Sequence, residues 1–279
     1  MIIDAHQHFW HYDAVRHRWI TDAMAILKRD FLPPDLEPEL VTNGVDGCVL
    51  VQVEQSECET EFLLQLADRS KKIAGVVGWI DLSSPNIVEK LKQYARSKKL
   101  RGFRHIVQDE PDDRFLLRQE ILRGIQALNG FGYTYDILIY PKHLLAALEL
   151  VSRLPEQRFV IDHLAKPLVR ENILEPWASQ MRAIAKHPNV YCKVSGLVTE
   201  ANWRAWTEKD FRPYLDVVCE SFGAKRLMFG SDWPVCLLAS NYSRVKQLID
   251  NYLQNFSSLE REQIFGGTAT HFYGLENNQ

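Results

Sequence analysis

The chain has 279 residues, a length at which an α/β barrel commonly forms a single unit. Charged residues make up 25% of it, and the lysines and arginines are scattered within a net charge of −3, so the sequence lacks the clustered basic charge that binds nucleic acid. The composition is that of an ordinary globular protein, which excludes disordered and fibrous classes.

The N-terminus and the cysteines indicate the cellular compartment. The first residues, MIIDAHQH, include no basic leader, and no stretch approaches the roughly 18 apolar residues that span a bilayer, so we expect neither a signal peptide nor a membrane partner. The five cysteines are widely spaced without a C-x-x-C pair, which argues against a disulfide framework and a thiolate zinc site. A reduced, cytoplasmic location is the expectation.

Eight short runs are predicted strands, and several are apolar almost throughout, as parallel strands buried on both faces are. In chain order they are IIDAHQH, GVDGCVLVQVE, IAGVVGWIDL, LRGFRHIV, GYTYDILIY, RFVIDHLAK, NVYCKVSGL and RLMFGSDWPV.

Amphipathic stretches of helical period follow these strands, with Pro85 and Pro141 at helix starts and Gly130 and Gly223 just past helix ends. They are ETEFLLQLADRS, SPNIVEKLKQYARSKK, RQEILRGIQALNGF, PKHLLAALELVSRL, PWASQMRAIAKHP, KDFRPYLDVVCESFG, YSRVKQLIDNYLQNF and, at the end of the chain, LEREQIFGGTATHFYGL.

Eight strand–helix units in succession predict a single (β/α)8 TIM barrel, one domain over residues 1–279. Residues 9–38 show little periodicity and contain Pro33-Pro34, so we interpret them as a long first βα loop over the barrel mouth. A doubly wound open sheet is the alternative, and it is disfavoured because no glycine-rich phosphate-binding sequence follows the first strand.

Ionisable and polar side chains collect at the C-terminal ends of the predicted strands, where TIM barrels carry their chemistry. They are His6 and His8 on strand one, Gln52 and Glu54 on two, Arg104 and His105 on four, Tyr135 and Asp136 on five, His163 and Lys166 on six, Lys193 and Ser195 on seven, and Asp232 on eight. Because buried charge is costly unless it is paired or bound, this convergence predicts a functional site.

A lone strand histidine is usually a hydrogen-bonded core residue, and a lone Asp often caps a turn. The combination of H-x-H on strand one with His163 and Asp232 favours a site instead. The other histidines fall in loops or helices and are interpreted as structural, although His17, Trp10 and Trp19 are candidates for lining the mouth. We expect Glu54 to pair with an Arg or Lys, and Cys192 to be a small buried hydrophobe.

With these residues placed, the chain resembles the amidohydrolase superfamily, and within it the sugar lactonases of the L-fuconolactonase and L-rhamnonolactonase type. A more distant similarity is to 2-pyrone-4,6-dicarboxylate lactonase. The similarity spans the whole barrel. It is carried by IDAHQHFW, RGFRHIVQDEPD, IDHLAKP and GSDWPVC.

The resemblance implies a metal site at His6, His8, His163 and Asp232. Two positions depart from the superfamily pattern: Arg104 or His105 replaces the metal-bridging strand-four residue, and the strand-five histidine is missing. A binuclear centre is therefore not expected. One divalent ion, Zn²⁺ or Mn²⁺, suits the remaining imidazoles and carboxylate. Catalysis without a metal is the second possibility, since some lactonases of this branch work that way.

The resemblance implies hydrolysis of a small sugar lactone, such as L-fuconolactone or L-rhamnonolactone. Asp232 is the expected general base, and His163 and Arg104 are expected to stabilise the oxyanion. The residues expected to bind the sugar are Gln52, His105, Tyr135, Lys166, Lys193, Trp10, Trp19 and Trp233.

Other functions stay open at this point. A metal-dependent decarboxylase of the same superfamily would use a similar His and Asp set, and the cyclic substrate could be another ester or an amide. A non-catalytic sugar-binding barrel is disfavoured because every histidine and Asp of the constellation is present. The sequence predicts neither the stereochemistry of the lactone nor the oligomeric state.

Overall fold

The strands of the barrel pair in parallel and in chain order from β1 to β8 in a computed structural model that describes residues 1–275. Their bounds are β1 Ile3–Gln7, β2 Gly47–Val51, β3 Ile73–Gly78, β4 Leu100–Ile106, β5 Thr134–Leu138, β6 Phe159–Ile161, β7 Val190–Val194 and β8 Leu227–Phe229.

Two backbone hydrogen bonds join the first and last strands and close the ring. The amide of Asp232 donates to the carbonyl of His6, and the amide of His8 donates to the carbonyl of Trp233, both at 2.8 Å. The (β/α)8 barrel predicted from the sequence is confirmed. The two bonds also place Asp232 beside the H-x-H segment of β1.

Ten α-helices accompany the strands of residues 1–275. Their bounds are α1 Pro33–Thr42, α2 Glu57–Arg69, α3 Ile87–Tyr94, α4 Gln119–Asn129, α5 Leu144–Arg153, α6 Trp177–Ile184, α7 Glu208–Phe222, α8 Tyr242–Tyr252, α9 Ser258–Glu262 and α10 Thr268–Tyr273. Within that range, no helix combines the length and the apolar character needed to cross a membrane.

The apolar side chains form two clusters because neighbouring residues of a strand point to opposite faces. On β6, Phe159 and Ile161 join the large cluster between strands and helices, whereas Val160 joins a smaller cluster inside the barrel. Phe272 and Tyr273 of α10 belong to the smaller cluster. Helix α10 therefore fills the N-terminal end of the barrel and leaves the C-terminal end as the mouth.

The segment after β1 contains more regular structure than predicted. A 3₁₀ helix spans Asp22–Leu27, and α1 begins at Pro33, inside the stretch interpreted as loop. Prolines are tolerated in the first turn of a helix, where the missing N–H has no intrahelical acceptor. The segment between β1 and α1 does reach over the mouth, since Trp19 and Met24 line the cavity there.

Candidate active site

A cavity of about 340 Å³ opens at the C-terminal ends of the strands. This is a volume suited to a small organic molecule. Its walls are formed by His8, Trp19, Met24, Val53, Arg104, Ile106, Gln108, Asp109, Leu138, Tyr140, His163, Lys166, Thr199, Glu200, Trp203, Asp232, Val235 and Leu238.

A carboxylate surrounded by three imidazoles lies at the floor of this cavity, which Asp232, His8 and His163 line while His6 is buried behind them. Oδ1 of Asp232 lies 3.3 Å from Nε2 of His8, 3.8 Å from Nε2 of His163 and 3.9 Å from Nε2 of His6. All four side chains are buried. The structure thus brings together the four residues that the sequence predicted as a constellation.

An irregularity in β1 brings its histidines to the interior. The pairing register with β2 shifts between Asp4 and Gln7. Ala5 belongs to the cluster inside the barrel, while Asp4 accepts a 3.0 Å hydrogen bond from the Tyr242 hydroxyl of α8. His6 nevertheless reaches the interior directly after Ala5, so strict alternation is broken at this bulge.

A left-handed turn after β6 positions His163. The four residues His163–Lys166 all have φ between 51° and 57°. Such conformations cost free energy in L-residues and cluster at functional sites. Nδ1 of His163 lies 2.8 Å from Oγ of Ser195, and a Cβ at Gly196 would lie 2.5 Å from the same nitrogen. Gly196, at φ 65°, therefore makes room for the imidazole ring.

A buried network of charges lies beneath the floor. Nη1 of Arg104 donates to Oδ2 of Asp162 at 2.9 Å and lies 3.2 Å from Nε2 of His6. Nζ of Lys193 lies 3.0 Å from Asp162, 2.6 Å from Asp136 and 3.1 Å from Nδ1 of His6. Two cations and two carboxylates thus balance one another, as buried charges must.

Burial and these charges fix the protonation of the floor. Burial lowers the pKa of His163 to about 4, and burial together with Lys193 holds the pKa of His6 well below its usual range. Burial alone would raise the pKa of Asp232, but His163, His8 and Lys166 keep it below the ordinary value. Asp232 is therefore an ionised carboxylate beside the neutral imidazoles of His6 and His163 at neutral pH.

The floor also offers a donor set for a divalent metal. One nitrogen each from His6 and His8 and one oxygen from Asp232 lie within 4.8 Å of one another. Imidazole nitrogens and a carboxylate are donors that Zn²⁺ and Mn²⁺ accept. Asp162 and His163 form a second such group with His6. The residues present therefore fit one divalent ion.

Of the predicted sugar-binding residues, Lys166 and Trp19 line the cavity. Lys166 extends to an ion pair with Glu200 at 3.2 Å. The predicted catalytic Arg104 also reaches the cavity, while its guanidinium is held by Asp162.

Several predicted sugar-binding residues lie away from the cavity, because the strand pleat or local partners direct them elsewhere. Tyr135 packs in the large cluster outside the strands, 6.3 Å from the ring of Phe159, and does not line the cavity. His105 does not line it either, and its ring nitrogens lie 3.2 Å from Nε1 of Trp79 and 2.7 Å from Glu110.

Lys193 and Gln52, also predicted to bind the sugar, are buried beneath the floor. Lys193 is fully buried in the charge network and does not line the cavity. Gln52 is fully buried as well, and its Nε2 donates to the carbonyl of Arg104 at 3.1 Å. Both side chains support the floor instead of facing a ligand.

Two predicted tryptophans support the first loop instead of the sugar. Trp10 is buried and donates from Nε1 to the carbonyl of Arg29 at 2.9 Å. Trp233 is buried with its ring 5.2 Å from Phe31. Neither lines the cavity.

The remaining mouth candidates have structural partners. His17 is buried with Nε2 3.4 Å from Glu54, and Arg16 lies 3.7 Å from the same carboxylate. The pairing expected for Glu54 is confirmed, and His17 does not line the cavity. Cys192 is buried, as expected for a small hydrophobe.

Sequence reasoning missed several polar residues of the site. Asp162 directly precedes His163 in IDHLAKP, and this adjacency to a predicted ligand was the available signal. Gln108, Tyr140 and Glu200 line the cavity from loops in which no periodic pattern marks them. Loop residues of this kind carry specificity without leaving a pattern in the sequence.

A closed parallel barrel with three imidazoles and a carboxylate at its mouth defines a hydrolase-type site of the amidohydrolase class. The model of the amidohydrolase family matches residues 3–275. The chain belongs to this family.

Named relatives show which members of the family this chain is similar to. The chain is 40% identical to an L-fucono-1,5-lactonase of Burkholderia multivorans over 98% of this chain and 96% of the relative. It is 39% identical to an L-fucono-1,5-lactonase of Burkholderia ambifaria, again over 98% and 96%. A crystal structure of a Burkholderia multivorans amidohydrolase with bound zinc is 40% identical, covers 98% of this chain and 99% of its own, and superimposes with a TM-score of 0.95.

Proposed function

We propose that the protein hydrolyses a sugar lactone, L-fucono-1,5-lactone or an aldonolactone of similar size, to the open-chain sugar acid. The observation that carries the proposal is the ionised Asp232 among three imidazoles at the floor of a small cavity. Identity of 40% to an L-fucono-1,5-lactonase over nearly the whole chain supports the substrate class.

Asp232 acts as the general base. Its carboxylate accepts a proton from a water molecule while the water oxygen bonds to the lactone carbonyl carbon. A carboxylate with a low pKa is a weak base. It suffices here because the lactone is an activated ester, whose carbonyl demands less basicity from the nucleophile.

His163 and Arg104 stabilise the oxyanion that forms on the carbonyl oxygen. The neutral ring of His163 presents Nε2–H to the cavity when the Ser195 hydroxyl donates to Nδ1, 2.8 Å away. Arg104 adds a fixed positive charge at the cavity wall. The carbon–oxygen bond of the ring then breaks, and the proton held by Asp232 passes to the leaving ring oxygen.

The metal requirement belongs to the same proposal. His6, His8 and Asp232 would hold one Zn²⁺ or Mn²⁺, while His163, which the resemblance also implies as a ligand, groups with His6 and Asp162 instead. Such an ion lowers the pKa of bound water and polarises a carbonyl. The decarboxylase alternative has no observation of its own in this cavity, and similarity to decarboxylases is limited to the fold, at 12% identity.

A pH-indicator assay of ring opening over a panel of aldonolactones tests the proposal. It compares untreated protein, chelator-treated protein and Asp232→Asn. We expect the Asn variant to lose roughly 10²- to 10⁴-fold in kcat, the usual contribution of a general base. Asp216→Asn is the matched control, since Asp216 accepts a hydrogen bond from Tyr252 in the helical layer, away from the cavity.

The chelator arm separates the two metal hypotheses. Activity that survives metal removal but is lost in Asp232→Asn indicates hydrolysis by side chains alone. Loss that Zn²⁺ or Mn²⁺ restores identifies a metal-dependent lactonase. If metal-loaded protein opens none of the lactones, the proposal is wrong.

A further inference from the structure

The cavity has a polar side built from neighbouring loops. Gln108 follows β4, Tyr140 follows β5, Lys166 follows β6 and Glu200 follows β7, and all four line the cavity. Because β4 to β7 are consecutive in the barrel, these residues lie on one side of the mouth. We call them the polar wall.

The opposite side of the mouth is mostly apolar above the floor. Met24 precedes α1, Val53 follows β2, and Val235 and Leu238 follow β8. Ile106, Leu138 and Trp203 also line the side of the polar wall. A ligand that spans the cavity therefore meets apolar side chains on both sides, and meets most of the hydrogen-bonding groups above the floor on one side. This asymmetry suits a molecule with a polar edge and a carbon-rich face, as sugar derivatives have.

Gln108 contributes an unused hydrogen-bond acceptor to the polar wall. Its Oε1 is buried and has no hydrogen-bond partner, although the residue lines the cavity. A buried acceptor without a donor costs free energy. Several other buried glutamine oxygens lack a partner as well, but Gln108 differs from them because it lines the cavity, where a ligand or water can satisfy it. The unmet requirement is for a donor, which a ligand hydroxyl supplies and an ether oxygen or a carboxylate does not.

The charges that line the cavity disfavour an anionic ligand. Its two fixed cations are already paired, Lys166 with Glu200 at 3.2 Å and Arg104 with Asp162 at 2.9 Å. Asp109 adds a further carboxylate to the lining. A ligand carboxylate at the polar wall would therefore meet Glu200 and Asp109 without a free cation among the described lining residues. A neutral hydroxyl, in contrast, donates to a carboxylate readily.

We infer that Gln108 and Glu200 determine specificity by accepting hydrogen bonds from the hydroxyl groups of a neutral, polyhydroxylated lactone. Lys166 is a positioning residue that holds the Glu200 carboxylate at the wall. The inference rests on the proposed lactonase function. It adds that the substrate is selected by its ring hydroxyl groups and by its lack of a charged group.

The experiment compares kcat/KM for a polyhydroxylated aldonolactone and for δ-valerolactone, which has no hydroxyl groups. Gln108→Met removes the acceptor while keeping the side-chain length, and we expect about a tenfold loss on the aldonolactone, the value of one hydrogen bond. The loss on δ-valerolactone should be several-fold smaller, because this lactone has no hydroxyl group to donate to Gln108. Gln180→Met is the matched control, because Oε1 of Gln180 is also buried without a partner but lies in α6, outside the cavity.

Glu200→Gln supplies an independent readout with a lactone that carries an extra carboxylate, such as an aldarolactone. Wild-type protein should open it at least tenfold less efficiently than the neutral aldonolactone. The Glu200→Gln variant should reduce this difference in kcat/KM between the two lactones. Without the Glu200 charge, Lys166 is free to pair with the carboxylate of the aldarolactone.

The outcomes separate the inference from the function on which it rests. Wild-type protein that opens no lactone fails the proposed function and the inference together. An active wild type whose Gln108→Met variant loses equally on both lactones overturns the inference alone. So does wild-type protein that opens the aldarolactone as efficiently as the neutral compound.

Discussion

Asp162 pairs with two buried cations inside the barrel, Arg104 and Lys193. Its carboxylate lies 2.9 Å from Arg104 and 3.0 Å from Lys193, and all three side chains are almost fully buried. Burial alone would raise the pKa of this carboxyl, but Lys193, His6 and Arg104 hold it well below the usual range. Asp162 therefore stays ionised, and the position of Arg104 beside His6 depends on it.

Asp162→Asn removes the negative charge and leaves the interior with excess positive charge. We expect the free energy of unfolding to fall by roughly 3–5 kcal/mol, the cost of breaking a buried ion pair. Urea unfolding measures this change in the free energy of unfolding. Asp22→Asn is the control, since Asp22 pairs with Lys28 while fully exposed, and its unfolding curve should match the wild type. Coincident curves for both variants would show that the network is not stabilising.

At the scale of residues, the sequence predicted the four floor side chains because H-x-H and the two strand-end residues each stand in a recognisable pattern. Asp162 was missed because the side chains of neighbouring strand residues alternate between the two faces of a sheet. If His163 faces the barrel interior, this rule places Asp162 on the side that faces the helices. The strand ends at Ile161, and the left-handed turn that follows lets both side chains face the interior.

The turn at His163–Lys166, which positions the imidazole of His163 in the site, has a strained backbone. Four successive residues adopt left-handed conformations. Surrounding contacts hold the turn in place: Nε1 of Trp177 donates to the carbonyl of Leu164 at 2.7 Å, and Lys166 is anchored by Glu200. The turn directs the imidazole over Gly196, where only the absence of a side chain leaves room.

Gly196→Ala tests that fit. Its Cβ would lie 2.5 Å from Nδ1 of His163, so the ring must move and kcat should fall by at least tenfold. Gly44→Ala is the matched control: Gly44 has a similar φ of 64° but nothing within 4 Å of an added Cβ. Both variants should lose about 1 kcal/mol of stability from the backbone conformation alone. Equal activities in the two variants would mean that His163 does not depend on this contact.

At the scale of elements, strand order followed from the alternation of apolar runs. Helix number did not, because the eight predicted stretches lack α1 and the last of them contains both α9 and α10. Boundaries at the C-terminal ends did not: β6 and β8 end at Ile161 and Phe229, before the IDHLAKP and GSDWP motifs are complete. The motif residues adopt turns because ligating and paired groups, not a sheet ladder, determine their conformation. Helix α1 was missed because Pro33 and Pro34 were interpreted as loop residues instead of a helix start.

For the molecule as a whole, α10 joins the last part of the described chain to the interior of the barrel. Phe272 is fully buried in the inner cluster, and the Tyr273 hydroxyl donates to Asp136 at 2.7 Å. The charge network beneath the floor thus continues to the helix that fills the opposite end. The long-range contacts of α10 come from tertiary packing, which no local sequence pattern specifies.

Phe272→Ala should create a cavity in the inner cluster and lower the free energy of unfolding by roughly 3–5 kcal/mol. Thermal unfolding should show a lower Tm, while the kcat of the folded fraction stays near that of the wild type, because the floor is at the other end. Phe256→Ala, at a half-buried position packed on the outer cluster, is the control and should cost less. A larger effect of Phe256→Ala would argue against α10 as a stabilising element.

The filled end of the barrel also has a kinetic consequence. Because α10 occupies the N-terminal end, lactone, water and sugar acid all pass through the same opening of the cavity beneath the first loop. Each acid molecule must therefore leave through this opening before the next lactone enters, so product release and substrate entry are successive steps and never simultaneous.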